Sequence, residues 1–224
     1  TAYNFLSTKP VRSIDDVKGL KIRSGGPIFA RIIESLGGVA VQMPANEQFE
    51  GLSQGILDAS YASTPDLINA RLVDVVKYVI NIETGVFNGA AVVNASALLW
   101  DRMSGEDREA LVRAAQYALA ADAGAWQANA AKGTEEGKAK GIEFVTPDAT
   151  LKAGIDSFVA EHMKTVSQTL EGRGVKNAEA KVAQYKALVE KWQGLVANVS
   201  SEEELAELRI SEIWSKVDYA SFGK

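Results

Sequence analysis

The first ninety residues alternate between short apolar runs and stretches with helical spacing, and this alternation constrains the fold more than any other feature. "GLKIR" (19–23) reads as a strand. From Pro27, Ile28, Phe29, Ile32, Ile33 and Leu36 recur at helical intervals until Gly37-Gly38 stops them. "VAVQM" (39–43) is the next strand, and a helix through Phe49, Leu52 and Gln54 follows, for which Asn46 is a suitable cap. "ILDASYA" (56–62) is strand-like, 65–77 is helical, and "YVINIETGVFNGAAVVNASALLW" (78–100) has the alternation of one or two strands. The opening "TAYNFLSTKPVRS" reads as a strand and loop, and Ser13 to Asp16 as a capping box. Strands and helices joined this closely predict an α/β fold with a largely parallel sheet.

The character changes after Trp100. Ser104 caps a helical stretch running to about Lys140, whose glycines at 124, 133 and 137 weaken it. "GIEFV" (141–145) is a strand, Pro147 suits the first position of another helix, and "EGRG" (171–174) breaks that helix. Residues 178–224 are helical, with Ser200 or Ser201 as a cap.

Open α/β sheets bind ligands at the carboxyl ends of their strands. Arg23, Ala45 and Tyr61 lie at or just beyond such ends, so separate segments converge on one crevice. Arg23 is followed by Ser24-Gly25-Gly26. A guanidinium is a planar fork that matches a carboxylate, and glycines allow backbone to approach closely. On local grounds alone, a surface ion pair is the commoner explanation of such an arginine.

The remaining chemistry excludes more than it suggests. The chain has no cysteine, so disulfides and thiolate chemistry are absent. One histidine, His162, sits within a helical pattern and leaves no His/Cys metal site. No phosphate-binding glycine loop and no nucleophile elbow occur. Asp15-Asp16, Glu135-Glu136 and Glu202 to Glu204 fall in first helical turns or on polar faces. A net charge of -5 with no long basic run argues against nucleic acid, and no apolar run reaches the roughly 20 residues of a membrane span.

The ordered series "DVKGLKIR" (16–23), "ESLGGVAVQMP" (34–44) and "NEQFEGLSQGILDA" (46–59) resembles the solute-binding proteins of TRAP (tripartite ATP-independent periplasmic) transporters. "DVVKYV" (74–79) and "AVVNASALLWDRMSGEDREALVRAA" (91–115) continue the likeness, which covers about 3–175. The resemblance implies a periplasmic-binding-protein-like architecture of two α/β lobes with a long bridging helix. Residues 1–88 would form the second-lobe core, 89–128 a return to the first lobe and the start of the long helix, 129–175 further second-lobe elements, and 176–224 a helical tail. It implies capture of a small organic carboxylate between the lobes in the periplasm. Delivery to a membrane permease would follow, by a monomer with no enzymatic activity, cofactor or metal.

The family's principal carboxylate partner falls on Arg23. The pocket expected around it comprises Tyr3, Ser24, Ala45, Ser60 and Tyr61, with Asn88 at a crossing between lobes. Departures bear on the ligand. Tyr3 stands where some members carry a second arginine, Ala45 where an aromatic is frequent, Ala62 where an asparagine can follow, and Tyr61 where metal-using members bring an acid. These changes suggest a bulkier or more apolar ligand than a sugar acid. Family members carry roughly a hundred further residues, about one domain's worth, before the position of Tyr3. The chain is therefore expected to be part of a larger protein with an incomplete first lobe. A sensor coupled to a receptor is the alternative use of the same fold, and an enzyme anchoring its substrate on Arg23 lacks a nucleophile–base pair.

Overall fold

A computed structural model describes residues 2–82, 84 and 93–223. The chain divides into two compact units. One comprises Thr1–Phe87 with Trp126–Ala178, and the other Asn88–Ala125 with Glu179–Lys224.

The first unit is built on a six-stranded sheet. Its strands are β1 (Tyr3–Ser7), β2 (Lys21–Ser24), β3 (Val39–Gln42), β4 (Ala59–Ser63), β5 (Tyr78–Ile80) and β6 (Glu143–Val145), in the order β3-β2-β4-β1-β5-β6. β2 pairs in parallel with both β3 and β4, and β5 in parallel with β6. β1 is antiparallel to both its neighbours, β4 and β5. The parallel expectation therefore holds for every strand but β1, which is inserted backwards into the middle of the sheet.

Side-chain alternation sends each strand's apolar residues to two cores. Phe5, Ile22, Ala59, Tyr61 and Ile80 join one cluster, which is covered by Ile32 and Ile33 of α1 (Pro27–Ser35) and by Leu151 and Ile155 of α6 (Ala149–Gly172). Leu6, Ala62 and Val79 join the other with Leu52 of α2 (Gln48–Ser53) and Leu67 of α3 (Asp66–Asn69). Both faces of the sheet are thus buried, as parallel strands require.

Four local readings are corrected. Residues 65–77 do not form one helix. α3 ends at Asn69, Arg71 takes the left-handed conformation at φ 56°, and a 3₁₀ turn follows at Leu72–Asp74. This break lets Leu67, Leu72 and Val76 all enter the second core. Asn46 is not a cap but lies inside the 3₁₀ turn Ala45–Glu47 that leads into α2. "ALLW" belongs to helix α4 (Ala97–Arg102), capped by Ser96, whose Oγ accepts from the Leu99 N–H at 3.2 Å. A short apolar run carries no period long enough to decide this. Finally, α6 is capped by Asp148, which accepts from the N–H groups of Thr150 and Leu151, so Pro147 precedes the cap.

α5 (Gly105–Ala139) has 35 residues and is about 50 Å long at ~1.5 Å per residue. Its glycines are close-packing points. A Cβ on Gly133 would stand 2.4 Å from the Thr64 carbonyl oxygen, and one on Gly124 would stand 1.9 Å from Glu202 Oε1.

In the second unit, α4 and the first part of α5 accompany α7 (Ala178–Val196) and α8 (Glu202–Glu212). Ser201 caps α8, and Ser200 donates to Glu204, completing a reciprocal cap. Arg108 of α5 is only 1% exposed. It donates to the carbonyls of Trp100, Tyr219 and Ala220 and lies over the Trp100 ring. A buried guanidinium paired with carbonyls in this way ties the C-terminal residues to α4 and α5.

Candidate functional site

The carboxyl ends of β2, β3 and β4 and the amino end of β1 share one edge of the sheet, because Tyr3 pairs with Ser63, the last residue of β4. Arg23 and Ser60 are register partners on adjacent strands and project to the same face.

Arg23 is 8% exposed. Its Nε donates to the Met43 carbonyl at 2.9 Å, just past the end of β3. Among the described residues nothing accepts from its two terminal nitrogens. Burial pushes the guanidinium down from its ordinary pKa, opposed by Asp66 and Tyr3, and an arginine remains charged through such a shift. A charge largely withdrawn from water, with only its Nε donor paired among the described residues, suits an anion.

Gly25 supports this arrangement, since a Cβ there would stand 3.1 Å from Nη2 of Arg23. The close backbone approach expected at this glycine is made to the arginine itself. Ser24 is fully buried, and its Oγ is engaged with the N–H and carbonyl of Gly26. It shapes the turn below the arginine and is turned away from Arg23 by strand alternation.

Ser60 donates from Oγ to Gln48 Oε1 at 2.8 Å, and both residues are buried. Gln48 was not foreseen. Its signal lay in the spacing, since Gln48, Gly51 and Leu52 form the buried stripe of α2. A polar residue on an apolar stripe needs a partner. Ala45 is exposed in the turn just before Gln48, beyond the end of β3. Ala62 faces the second core.

Tyr3 and Tyr61 lie on the other face, in an aromatic group. Tyr3 stacks on Phe29 with centroids 5.1 Å apart, and both Tyr3 and Phe29 meet Tyr61 edge-on at 5.6 and 5.0 Å. The Tyr61 hydroxyl is hydrogen-bonded to that of Thr84, and burial pushes its pKa up to about 12. Tyr3 is also raised, by burial and by Asp66, with Arg23 opposing. Asn88 lies outside the described residues.

Asp66, the first residue of α3, also went unnoticed because an acid in a first turn is common. Burial raises its carboxyl above the ordinary range, opposed by hydrogen bonds from Ser63 and by Arg23. Nearby on the same unit, a cavity of about 430 Å³ opens between Asn4, Thr64, Asn81, Thr134, Phe144 and Thr146. These lining residues carry no charge. Among the described residues, no three acidic or histidine side chains are placed to hold a metal, and no helix is long and apolar enough to cross a membrane.

The sequence pattern of the bacterial extracellular solute-binding proteins, family 7 (DctP), matches residues 1–169. The chain belongs to this family. DctP-family relatives agree with that assignment. A solute-binding protein of Chromohalobacter salexigens is 26% identical over 164 residues, which are 68% of this chain and 47% of the relative. A TRAP periplasmic solute-binding protein from Bordetella bronchiseptica, solved with bound (R)-mandelate and (S)-mandelate, superposes with a TM-score of 0.66 at 23% identity. The match covers 85% of this chain and 60% of that one. Another from Pseudomonas putida F1, solved with bound D-glucuronate, gives 0.63 at 27% identity over 75% of this chain and 54% of that one. The α/β fold of this DctP-family chain is therefore that of TRAP periplasmic solute-binding proteins. The chain spans about half the length of the curated relatives it matches.

Proposed function

We propose that this chain is part of the solute-binding component of a TRAP-type transporter, which captures a small organic carboxylate in the periplasm and hands it to a membrane permease. Arg23 is the anchor. The observation that carries this reading is a nearly buried guanidinium whose Nε is spent on the Met43 carbonyl while Nη1 and Nη2 find no described acceptor. The two solved relatives described above hold mandelate and D-glucuronate, each a carboxylate. Beside Arg23, the Ser60–Gln48 pair fixes the neighbouring strand and helix, and Tyr3 acts on the guanidinium electrostatically from the opposite face. Residues 1–88 and 129–175 act as one ligand-binding lobe, and 89–128 and 176–224 belong with the rest of the protein. In this reading the protein is a monomeric binder without catalysis, cofactor or metal, in keeping with the lack of a nucleophile–base pair around Arg23 among the described residues.

The test is calorimetry of the intact protein against a panel of organic acids. Arg23→Ala removes two charge-assisted hydrogen bonds, each contributing about 1.5–3 kcal/mol, so affinity should fall by roughly 100-fold or more. Arg23→Lys keeps the charge but loses the fork and should fall between. Native affinity in Arg23→Ala would refute the anchor.

A further inference from the structure

The chain leaves β4 at Ser63, turns through Thr64 and Pro65, and enters α3 at Asp66. This brings the carboxylate back to the strand-end edge, one strand over from Arg23. Oδ2 accepts from the Ser63 N–H at 3.2 Å and from the Ser63 hydroxyl at 3.4 Å. No described residue donates to Oδ1. Asp66 and Arg23 influence each other electrostatically without forming an ion pair. The site therefore holds a positive fork with open donors and, nearby, a carboxylate with an open acceptor.

A plain carboxylate on Arg23 would fit this arrangement poorly. It would bring a second negative charge towards Asp66 and offer Oδ1 no donor. A ligand with a hydroxyl close to its carboxylate avoids the second problem, since its O–H donates to an ionised acceptor, among the stronger hydrogen bonds. We infer that Asp66 is a specificity residue whose free oxygen accepts a hydrogen bond from a ligand hydroxyl, so that the protein selects hydroxy acids over their deoxy counterparts. The inference rests on Arg23 holding the ligand's carboxylate. Sites built to bond a substrate hydroxyl reject the analogue lacking it far more strongly than apolar pockets reject a missing methylene.

The experiment uses pairs of acids that differ by one hydroxyl: mandelate and phenylacetate, lactate and propionate, 3-hydroxybutyrate and butyrate. Affinities are measured by calorimetry on the intact protein, on Asp66→Asn and Asp66→Ala, and on Arg23→Ala. In the native protein at least one pair should show a hydroxyl preference of about tenfold or more, equivalent to ~1.4 kcal/mol. Both Asp66 variants should shrink that preference several-fold, and the deoxy member should bind more tightly once the like charge is gone.

Three results would overturn the inference. One is the absence of any hydroxyl preference in the native protein. Another is an unchanged preference in both variants. The third is tightening of both members together, which would make Asp66 a purely electrostatic neighbour. Arg23→Ala keeps the two claims apart. If it binds normally, the anchor itself is wrong. If it loses both members of a pair while the Asp66 variants keep the ratio, only the role of Asp66 falls.

Discussion

The guanidinium of Arg23 rests against the α-carbon of Gly25. A methyl group built there would stand 3.1 Å from Nη2 and 3.3 Å from Cζ and Nη1. Ordinary contact needs several tenths of an ångström more, so Gly25→Ala must push the fork aside. The moving part is the end of a flexible side chain, and Gly25 is not in the left-handed region. Stability should therefore change by less than about 1 kcal/mol, while carboxylate affinity falls by roughly tenfold, as expected when a bidentate contact is misaligned. Calorimetry with parallel thermal melts separates the two. Unchanged affinity would mean that the fork relaxes freely.

Asp66 should make stability depend on pH in an unusual direction. Its folded pKa is raised above the unfolded value of 3.8, mainly by burial. The stabilising contribution of the neutral form is then fully present below the unfolded value and is lost as pH rises through the folded one. Above the folded value the ionised group is a liability, and there Asp66→Asn should melt at a higher temperature than the native chain when no ligand is bound. The advantage should shrink as pH falls from about 7 towards the unfolded value of 3.8, because the carboxyl is increasingly protonated. Calorimetric melts across that range provide the check. A variant that melts lower by the same amount at every pH would show that Asp66 acts only through its bonds to Ser63.

The glycines of α5 should behave oppositely to an exposed helix-end glycine. Gly133 lies against the Thr64 backbone, where a Cβ would be 2.4 Å from the carbonyl oxygen. Gly133→Ala should cost about 1–3 kcal/mol through overpacking, despite the ~1 kcal/mol that alanine gains in helix propensity. Gly172, at the last position of α6, has nothing within 4 Å of such a methyl. Gly172→Ala should be neutral or slightly stabilising by urea denaturation. Equal effects at the two sites would contradict the packing.

These glycines also show where reading the sequence stops short. Strand and helix order was legible, because strongly periodic segments such as Ile28 to Leu36 admit one interpretation. Gly124 and Gly133 registered only as weak points, since propensity is local while Glu202 and Thr64 are brought to them by folding. The same division runs through the site. Arg23 was identifiable from its place beside two glycines and from the motifs around it. The sequence puts Tyr61 at or just past a strand end, but it sits in the middle of β4, and alternation sends it, with Tyr3, to the face opposite Arg23, which depends on the register with β4. Gln48 and Asp66 were overlooked because each has an ordinary local explanation, a polar helix residue and a first-turn acid. Only the long-range partners, Ser60 for the former and Arg23 for the latter, give them another meaning.

The reversed course of β1 has a practical consequence. Ala2, just before it, lies at the rim where β2 and β4 end and borders the cavity there. A small fluorophore attached at position 2 would border that cavity, on the sheet edge where β2 ends. The chain thus provides a natural mounting point for an optical reporter, with every loop left as it is. By the same reasoning, position 2 is a poor place for an affinity handle in any binding measurement.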